Sequence, residues 1–427
     1  MRTLNIALCG LGTVGAGVWR HLERNAELIQ SRTGCRINVQ KVAARRAERA
    51  REVGIAQDKV VADWRDAVND PQVDAVVELI GGTTDALELV RAALKNSKHV
   101  VTANKALLSE YGEELFGLAA RCGKQLLFEA SVAGGIPIIK ILRESLVANR
   151  IVSMHGIING TCNYILSRMS DEGLPYAEVL QQAKKLGYAE ADESLDVDGH
   201  DTAHKACILA ALAYGFWPAP GMVATEGIRD VQRDDIAFAR NLGYTLKLLA
   251  VIKAGDSGVE ARVQPTLVPS GHVLASIKGP FNAVLVRGDV LGDALFYGRG
   301  AGADATASAV LADLAELAAG RDAMPGAVGG ALYARLKSVD EIVSRYYLRL
   351  QALDEPGVLA KIAGILGARK ISISSAIQPE GKTGAYVPLV FMLHNAQEKQ
   401  FQQALEEIAQ LPVVQGPPVR WRVEDFT

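Results

Sequence analysis

The feature that most constrains this chain lies near its start. The apolar run Leu4–Cys9 stops at Gly10-Leu11-Gly12-Thr13-Val14-Gly15, and residues 16–30, AGVWRHLERNAELIQ, then carry a helical pattern. Each glycine at this spacing has its own task. Gly10 permits the tight turn, Gly12 lets backbone approach a ligand closely, and Gly15 lets helix and strand pack together. Further strands are expected at residues 37–44 (INVQKVAA) and 73–82 (VDAVVELIGG), then at HVVTAN and KQLLFEASV, with helices such as ALELVRAALKNSK between them. Val-, Leu- and Ile-rich strands alternating with helices imply a parallel sheet covered on both faces.

A helix that starts on such a loop turns its free N–H groups and positive end toward phosphates. The expectation is therefore an α/β, Rossmann-type doubly wound domain over residues 1–130 that binds a dinucleotide. The end of the second strand bears on which one. An acid there would hold a ribose 2′-OH, but the sequence reads Ala43-Ala44-Arg45-Arg46. Two guanidiniums suit a 2′-phosphate, so NADP is favoured, with NAD as the alternative. The plainer reading of Arg45 and Arg46 is a solvated surface pair.

The rest of the chain changes texture. Residues 131–345 mix helices with strand-like runs such as YTLKLLAVIKAG and NAVLVRGDVLGDALFYG, an α+β substrate and dimerisation domain. Its helix near 303–320 is a candidate to pack back on the first domain. Residues 346–427 give a compact βαββαβ, ferredoxin-like order. A total of 427 residues is enough for two or three such units.

Charge and cysteine content exclude several function classes. With 46 basic and 48 acidic residues, nothing favours nucleic-acid or membrane-surface binding. No apolar stretch reaches the roughly 18–20 residues of a membrane span, and the first residues do not read as a signal peptide. Five scattered cysteines without C-x-x-C spacing fit reduced thiols in the cytoplasm.

The densest polar stretch is Tyr188–Cys207, YAEADESLDVDGHDTAHKAC, with six carboxylates around Lys205. A metal loop, a solvated surface and a polar catalytic pocket would all look somewhat like this. The D-x-D-x-D-G-x5-E pattern of a calcium loop is absent. Asp201 and Lys205 are one helical turn apart and share a face, which by spacing alone fits an ordinary surface ion pair.

GLGTVGAGV, ELIGG, VTANKALL, FEASVAGGIPII, GIINGTCNYIL, LGYAEADESLDVDGHDTAHK and GRGAGADATASAV occur in that order, and together they resemble homoserine dehydrogenases over roughly residues 1–320. The last 80 or so residues resemble an ACT domain, a small-molecule sensing module. The resemblance implies interconversion of L-homoserine and L-aspartate 4-semialdehyde with a nicotinamide cofactor. It makes Lys205 the proton donor and Lys105 a second catalytic lysine between cofactor and substrate. Two ammoniums close together are expected to lower one another's pKa. Glu190 and Asp201 become substrate ligands, and Asn159, Gly160 and Thr161 pocket lining. Besides the glycine loop, Gly81, Gly187 and Gly302 match cofactor contacts. A monovalent cation, sodium by resemblance, falls at Glu129, Val132, Gly134 and Ile136, held mostly by backbone oxygens. Asp192, Glu193 and Asp198 are expected to cap a helix or face solvent. The turn Asp354–Gly357 is the expected site for L-threonine feedback, and pairing of ACT units implies a homodimer or homotetramer.

Two rivals remain at this point. One is a phosphorylating semialdehyde dehydrogenase with Cys162 as nucleophile and His155 or His204 as base. The other is an amino-acid sensor with an inactive dehydrogenase half.

Overall fold

The computed structural model describes residues 2–255, 257–321, 335–382 and 384–426. The first part of the chain builds a six-stranded parallel sheet from β1 (Arg2–Cys9), β2 (Cys35–Ala43), β3 (Val60–Val61), β4 (Ala75–Glu78), β5 (His99–Thr102) and β6 (Leu126–Leu127). Its order is β3-β2-β1-β4-β5-β6, so the chain reverses direction across the sheet between β1 and β4. In such sheets ligands bind at that reversal, beyond the carboxyl ends of the strands. The α/β Rossmann-type expectation is borne out. Successive residues of β1 enter different cores: Ala7 and Cys9 face one, and Ile6 and Leu8 the other. Period-two alternation with both faces buried is what its near-continuous apolar run requires. The second core is closed by helix Ala303–Ala319, which contributes Ala307, Val310 and Leu314 beside Val18 and Leu22. Gly17 makes that contact close, since a Cβ there would lie 3.0 Å from the Ala303 carbonyl oxygen.

The second sheet runs, in spatial order, Gly292–Arg299, Phe281–Gly288, Ile151–Ile157, Tyr244–Gly255, Gly258–Pro269, Val414–Val423, Val343–Leu353, Tyr386–Gln397 and Ile373–Ile377, with Ala224–Thr225 paired to Gly258–Pro269. The last four in this order form the C-terminal unit. Helices Val358–Ala368 and Glu398–Ala409 cover it over Tyr346, Leu348, Leu350, Ile362 and Phe401. Its strand order, 4-1-3-2, is the ferredoxin-like arrangement expected. It joins the middle sheet through a short parallel pairing, Thr266 with Arg422 and Leu267 with Val423.

Some expectations needed correction. β3 is an additional two-residue edge strand, too short to show a period. The run GGIPIIKILRESL reads from its pattern as a helix with proline in the first turn, but it is not one regular helix: a single α-turn, Ile138–Lys140, passes into a π-helical segment, Ile141–Ser145. Residues 334–346 read as a connection, but they hold the 3-10 turn Val339–Glu341 and the start of strand Val343–Leu353, while Ala334 lies outside the described residues.

Candidate active site

The glycine loop and the ends of β2 and β4 enclose a cavity of about 330 Å³, lined by Gly10, Leu11, Gly12, Arg45, Arg46 and Gly81, among others. Gly10 has φ +105°, and a Cβ there would stand 2.5 Å from the Leu79 carbonyl oxygen. A methyl on Gly15 would collide with the Gly10 carbonyl. Gly12 differs, because no atom lies within 4 Å of the Cβ position. Two glycines thus close the turn while the middle one leaves backbone open, and this shape fits a pyrophosphate above the start of helix Thr13–Arg24. Thr13, Val14 and Gly15 form that first turn. Arg49 and Trp64 also line the cavity. Sequence reading missed them because they come from the next helix and from beyond β3.

A buried carboxylate organises the neighbouring loop. Glu78, at the end of β4, accepts hydrogen bonds from Ile80 N (2.9 Å), Gly81 N (3.1 Å) and Thr102 Oγ1 (2.5 Å). Burial pushes its pKa up despite these donors. Thr102 Oγ1 accepts from Asn104 N at 3.0 Å, and the Asn104 side chain donates to Gly82 O at 2.7 Å. Asn104 also caps helix Lys105–Arg121 by accepting from Leu107 N. The loop after β4 and the helix that begins with Lys105 are therefore parts of one network.

Lys105 leads to the second group. Helix His200–Tyr214 is buried along most of its length, so its two charged residues must find partners inside. Asp201 binds both lysines: Lys105 Nζ lies 2.9 Å from Oδ1, and Lys205 Nζ donates to Oδ2 at 2.7 Å. Lys205 also donates to Ile158 O at 2.7 Å. Burial opposes ionisation of Asp201, but the two ammoniums outweigh it and hold its pKa well below the usual range. Lys105 moves the other way from expectation. The Asp201 charge raises its pKa, burial opposes this only in part, and Asp196 and Glu190 add to the rise. Mutual lowering of the two lysines fails for Lys105 because a carboxylate stands between them.

Asn159 caps helix Gly160–Glu172 by accepting from Cys162 N at 2.8 Å. Its amide nitrogen donates to Asp201 Oδ2 (2.9 Å) and Asp196 Oδ1 (2.7 Å). Thr161 Oγ1 is 3.2 Å from Asp196 Oδ2 and 2.6 Å from the Tyr188 carbonyl oxygen. Gly160 has no room for a side chain, since a Cβ would be 2.8 Å from Pro280 O. Asp196 thus sits within the cluster although the sequence did not single it out among the six acids. Nothing local in the sequence marks it; in the fold, burial pushes its pKa up, with Asp201 adding to the shift. Glu190 is exposed at the rim. Asp192 is exposed and accepts from Ser194 N (3.0 Å), while Glu193 and Asp198 pair with Arg229.

Gly187 and Gly302 do not line the glycine-loop cavity. Gly187 precedes Tyr188 beside Thr161, and Gly302 opens the helix packed on Gly17. At the expected cation loop, the Glu129 carboxylate accepts from Ile139 N (3.0 Å) and Lys140 N (2.8 Å). Burial pushes its pKa up to about 7. Ala133 and Gly134 both have positive φ, 54° and 46°. An acid so buried, in a tightly turned loop of carbonyls, fits a hard cation held by oxygen. Among the described residues no cluster of three His, Cys, Asp or Glu side chains that could hold a metal ion is present.

The cysteine rival finds little support. Cys162 is fully buried, its Sγ lies 3.2 Å from Asp196 O, and burial together with the Asp196 and Asp201 charges raises its pKa well above normal. A thiol there stays protonated. His155 lies elsewhere, 3.6 Å from Glu424.

Residues 10–129 match the family described as homoserine dehydrogenase, NAD binding domain, residues 137–315 match homoserine dehydrogenase, and residues 346–413 match the ACT domain. Curated homoserine dehydrogenases from Pseudomonas aeruginosa and Neisseria gonorrhoeae are 45% and 44% identical, each comparison covering 100% of both chains. The solved homoserine dehydrogenase from Thiobacillus denitrificans is 43% identical with a TM-score of 0.93, over 100% of this chain and 99% of that one. A hyperthermophilic archaeal homoserine dehydrogenase solved with NADPH is 27% identical with a TM-score of 0.65, over 75% of this chain and 99% of that one. With the nucleotide-binding sheet, the lysine–aspartate cluster and these full-length similarities together, the chain belongs to the homoserine dehydrogenase family, oxidoreductases acting on a CH–OH group, and carries a C-terminal ACT domain.

Proposed function

We propose that this enzyme reversibly reduces L-aspartate 4-semialdehyde to L-homoserine with NADP in preference to NAD, as a step toward threonine, methionine and isoleucine. The observation that carries the reading is the buried Asp201 bridging Lys105 and Lys205. When bound, the nicotinamide supplies or accepts the hydride. Lys205 has three N–H donors, of which Asp201 and Ile158 O engage two. The third serves the substrate oxygen and delivers its proton in the reductive direction. Lys105, kept charged by Asp201, stabilises negative charge growing on that oxygen. Glu190 and Asp196 receive the substrate ammonium, and Asn159, Gly160 and Thr161 shape the pocket floor.

Arg45 and Arg46, both exposed at the end of β2, take the 2′-phosphate, with Arg49 beside them. The resemblance adds Gly187 and Gly302 as cofactor contacts. Glu129, Val132, Gly134 and Ile136 hold a sodium ion that stiffens their loop. L-Threonine acts through the turn Asp354–Gly357, where Gln378 donates to Asp354 Oδ1 at 2.8 Å. A homodimer or homotetramer is the assembly that the family resemblance and pairing of ACT units imply. Five unpaired cysteines fit a cytoplasmic enzyme, and among the described residues no helix is long and apolar enough to cross a membrane.

Steady-state oxidation of L-homoserine with each cofactor tests the assignment. Turnover is expected with a lower KM for NADP, and Arg45→Gln with Arg46→Gln raises that KM while leaving the KM for NAD unchanged. Absence of turnover with both cofactors contradicts the reading. Threonine inhibition of the full chain is expected to weaken in Asp354→Ala, and an equal response in both proteins contradicts the effector assignment.

A further inference from the structure

The short turn Ser194–Val197 carries Asp196, and Glu193 and Asp198 stand at its two ends. One guanidinium reaches both ends, and Lys184 Nζ adds a second tie to Glu193 Oε2 at 2.6 Å. Arg229 Nη1 lies 3.2 Å from Glu193 Oε1 and Nη2 lies 3.1 Å from Asp198 Oδ2, while Nε also donates to Asp198. The backbone repeats the contact. Ile228 N donates to Val197 O at 2.7 Å, and Gly227 packs so tightly that a Cβ would stand 2.5 Å from Asp198 Cα. One residue earlier, Glu226 N donates to Val263 O at 2.8 Å. The Glu226 carboxylate accepts from Arg420 Nη1 at 3.0 and 3.1 Å, with Arg422 at 3.7 Å. Both arginines lie on Val414–Val423, the last strand of the ACT domain. Four consecutive residues, 226–229, thus touch the C-terminal domain at one end and the acidic turn at the other.

Among the described residues, Asp196 and Asp201 hydrogen-bond or pair with Asn159, Thr161 and the two lysines, whereas Arg229 binds the flanking acids. It can act on the pocket only through them. The Arg229 side chain is 43% exposed, and ion pairs in that setting add little stability. What the clamp fixes is position, because a single turn tied at both ends cannot swing its carboxylate out of the pocket.

We propose that Arg229 is a positioning residue for the acidic turn, and that residues 226–229 form a strap through which the ACT domain sets where Asp196 stands. The proposal rests on the reading of the Asp201 pocket as the homoserine site. It is tested on the full-length enzyme without effector, by steady-state oxidation of L-homoserine. Arg229→Met and Arg420→Met are each expected to raise the homoserine KM roughly three- to thirtyfold. The KM for NADP stays unchanged and Tm moves by less than about 2 °C. Arg229→Lys recovers part of the loss. The double variant is no worse than the more affected single one, since both cut the same strap. Arg369→Met breaks an ion pair of the same domain, 2.6 Å to Glu407, away from the strap, and leaves the homoserine KM unchanged. Additive effects, a parallel rise in both KM values, or an Arg420→Met enzyme identical to wild type would overturn the proposal. If Arg420→Met does not fold, Glu226→Gln reads the same link. A wild-type enzyme that does not oxidise homoserine overturns the substrate reading itself, and is recognised by failure before any substitution.

Discussion

Asp201 sets the chemistry of the pocket because it is buried and has more than one cation to satisfy. Asp201→Asn leaves Lys105 and Lys205 facing a neutral amide, and removing one partner of a buried ion pair costs about 3–5 kcal/mol. We expect kcat to fall by at least about 100-fold with a lowered Tm, because the proton-handling lysine loses both its partner and its orientation. A variant with near-wild-type kcat would contradict this role. At this scale the lysines and Asp201 were legible because they sit in long, ordered motifs. Asp196 was not. Which of six neighbouring acids turns inward depends on Asn159 and Thr161, residues 37 and 35 positions away. The sign of the Lys105 shift was illegible for the same reason, since it rests on a carboxylate nearly a hundred residues distant in sequence.

Among the elements, the glycine loop was read almost completely from spacing, because its requirements are steric and local. The three glycines are nonetheless not equivalent. Gly15→Ala forces a methyl into the Gly10 carbonyl and should lower Tm by several degrees. Gly12→Ala meets open space and should leave Tm unchanged while raising the KM for NADP at least tenfold. Thermal unfolding and cofactor titration of the two variants check this, and equal losses of Tm would contradict it. The helix after Pro137 was misread because its pattern is apolar and periodic. Nothing local shows that the Glu129 carboxylate, 10 and 11 residues earlier, takes the first backbone N–H groups of that turn. A cation site built of backbone carbonyls would be hidden in the same way, since every residue carries one whatever its side chain.

For the whole molecule, the three-part order was legible from changes in periodicity, whereas the manner of domain joining was not. Buried ion pairs stand at the junction, beside an apolar core that Tyr347, Trp421 and Val423 share with the middle domain. Arg349 Nε binds Asp235 at 2.6 Å, and Arg262 binds Glu260 at 2.6 Å and Glu424 at 3.1 Å, with Lys253 also on Glu424. Burial alone would raise the pKa of Glu424, but the neighbouring cations, with His155 3.6 Å away, hold it well below the usual range. A carboxyl with a depressed folded-state pKa stabilises the fold above its unfolded value, near about 4.3, and loses that contribution as pH falls toward the folded value. Glu424→Gln should therefore lower Tm clearly at pH 7, and the gap to wild type should narrow below about pH 4. A gap independent of pH would contradict the ion-pair account.

The most direct test of the central claim is kcat for reduction of L-aspartate 4-semialdehyde in wild type and Lys205→Ala, with cofactor binding measured alongside. The account predicts a loss of at least about 100-fold in kcat with cofactor affinity unchanged, since a positioned general acid contributes about that much or more. A Lys205→Ala enzyme that binds cofactor normally and keeps kcat within a few-fold of wild type would contradict it, and would place proton delivery on another group.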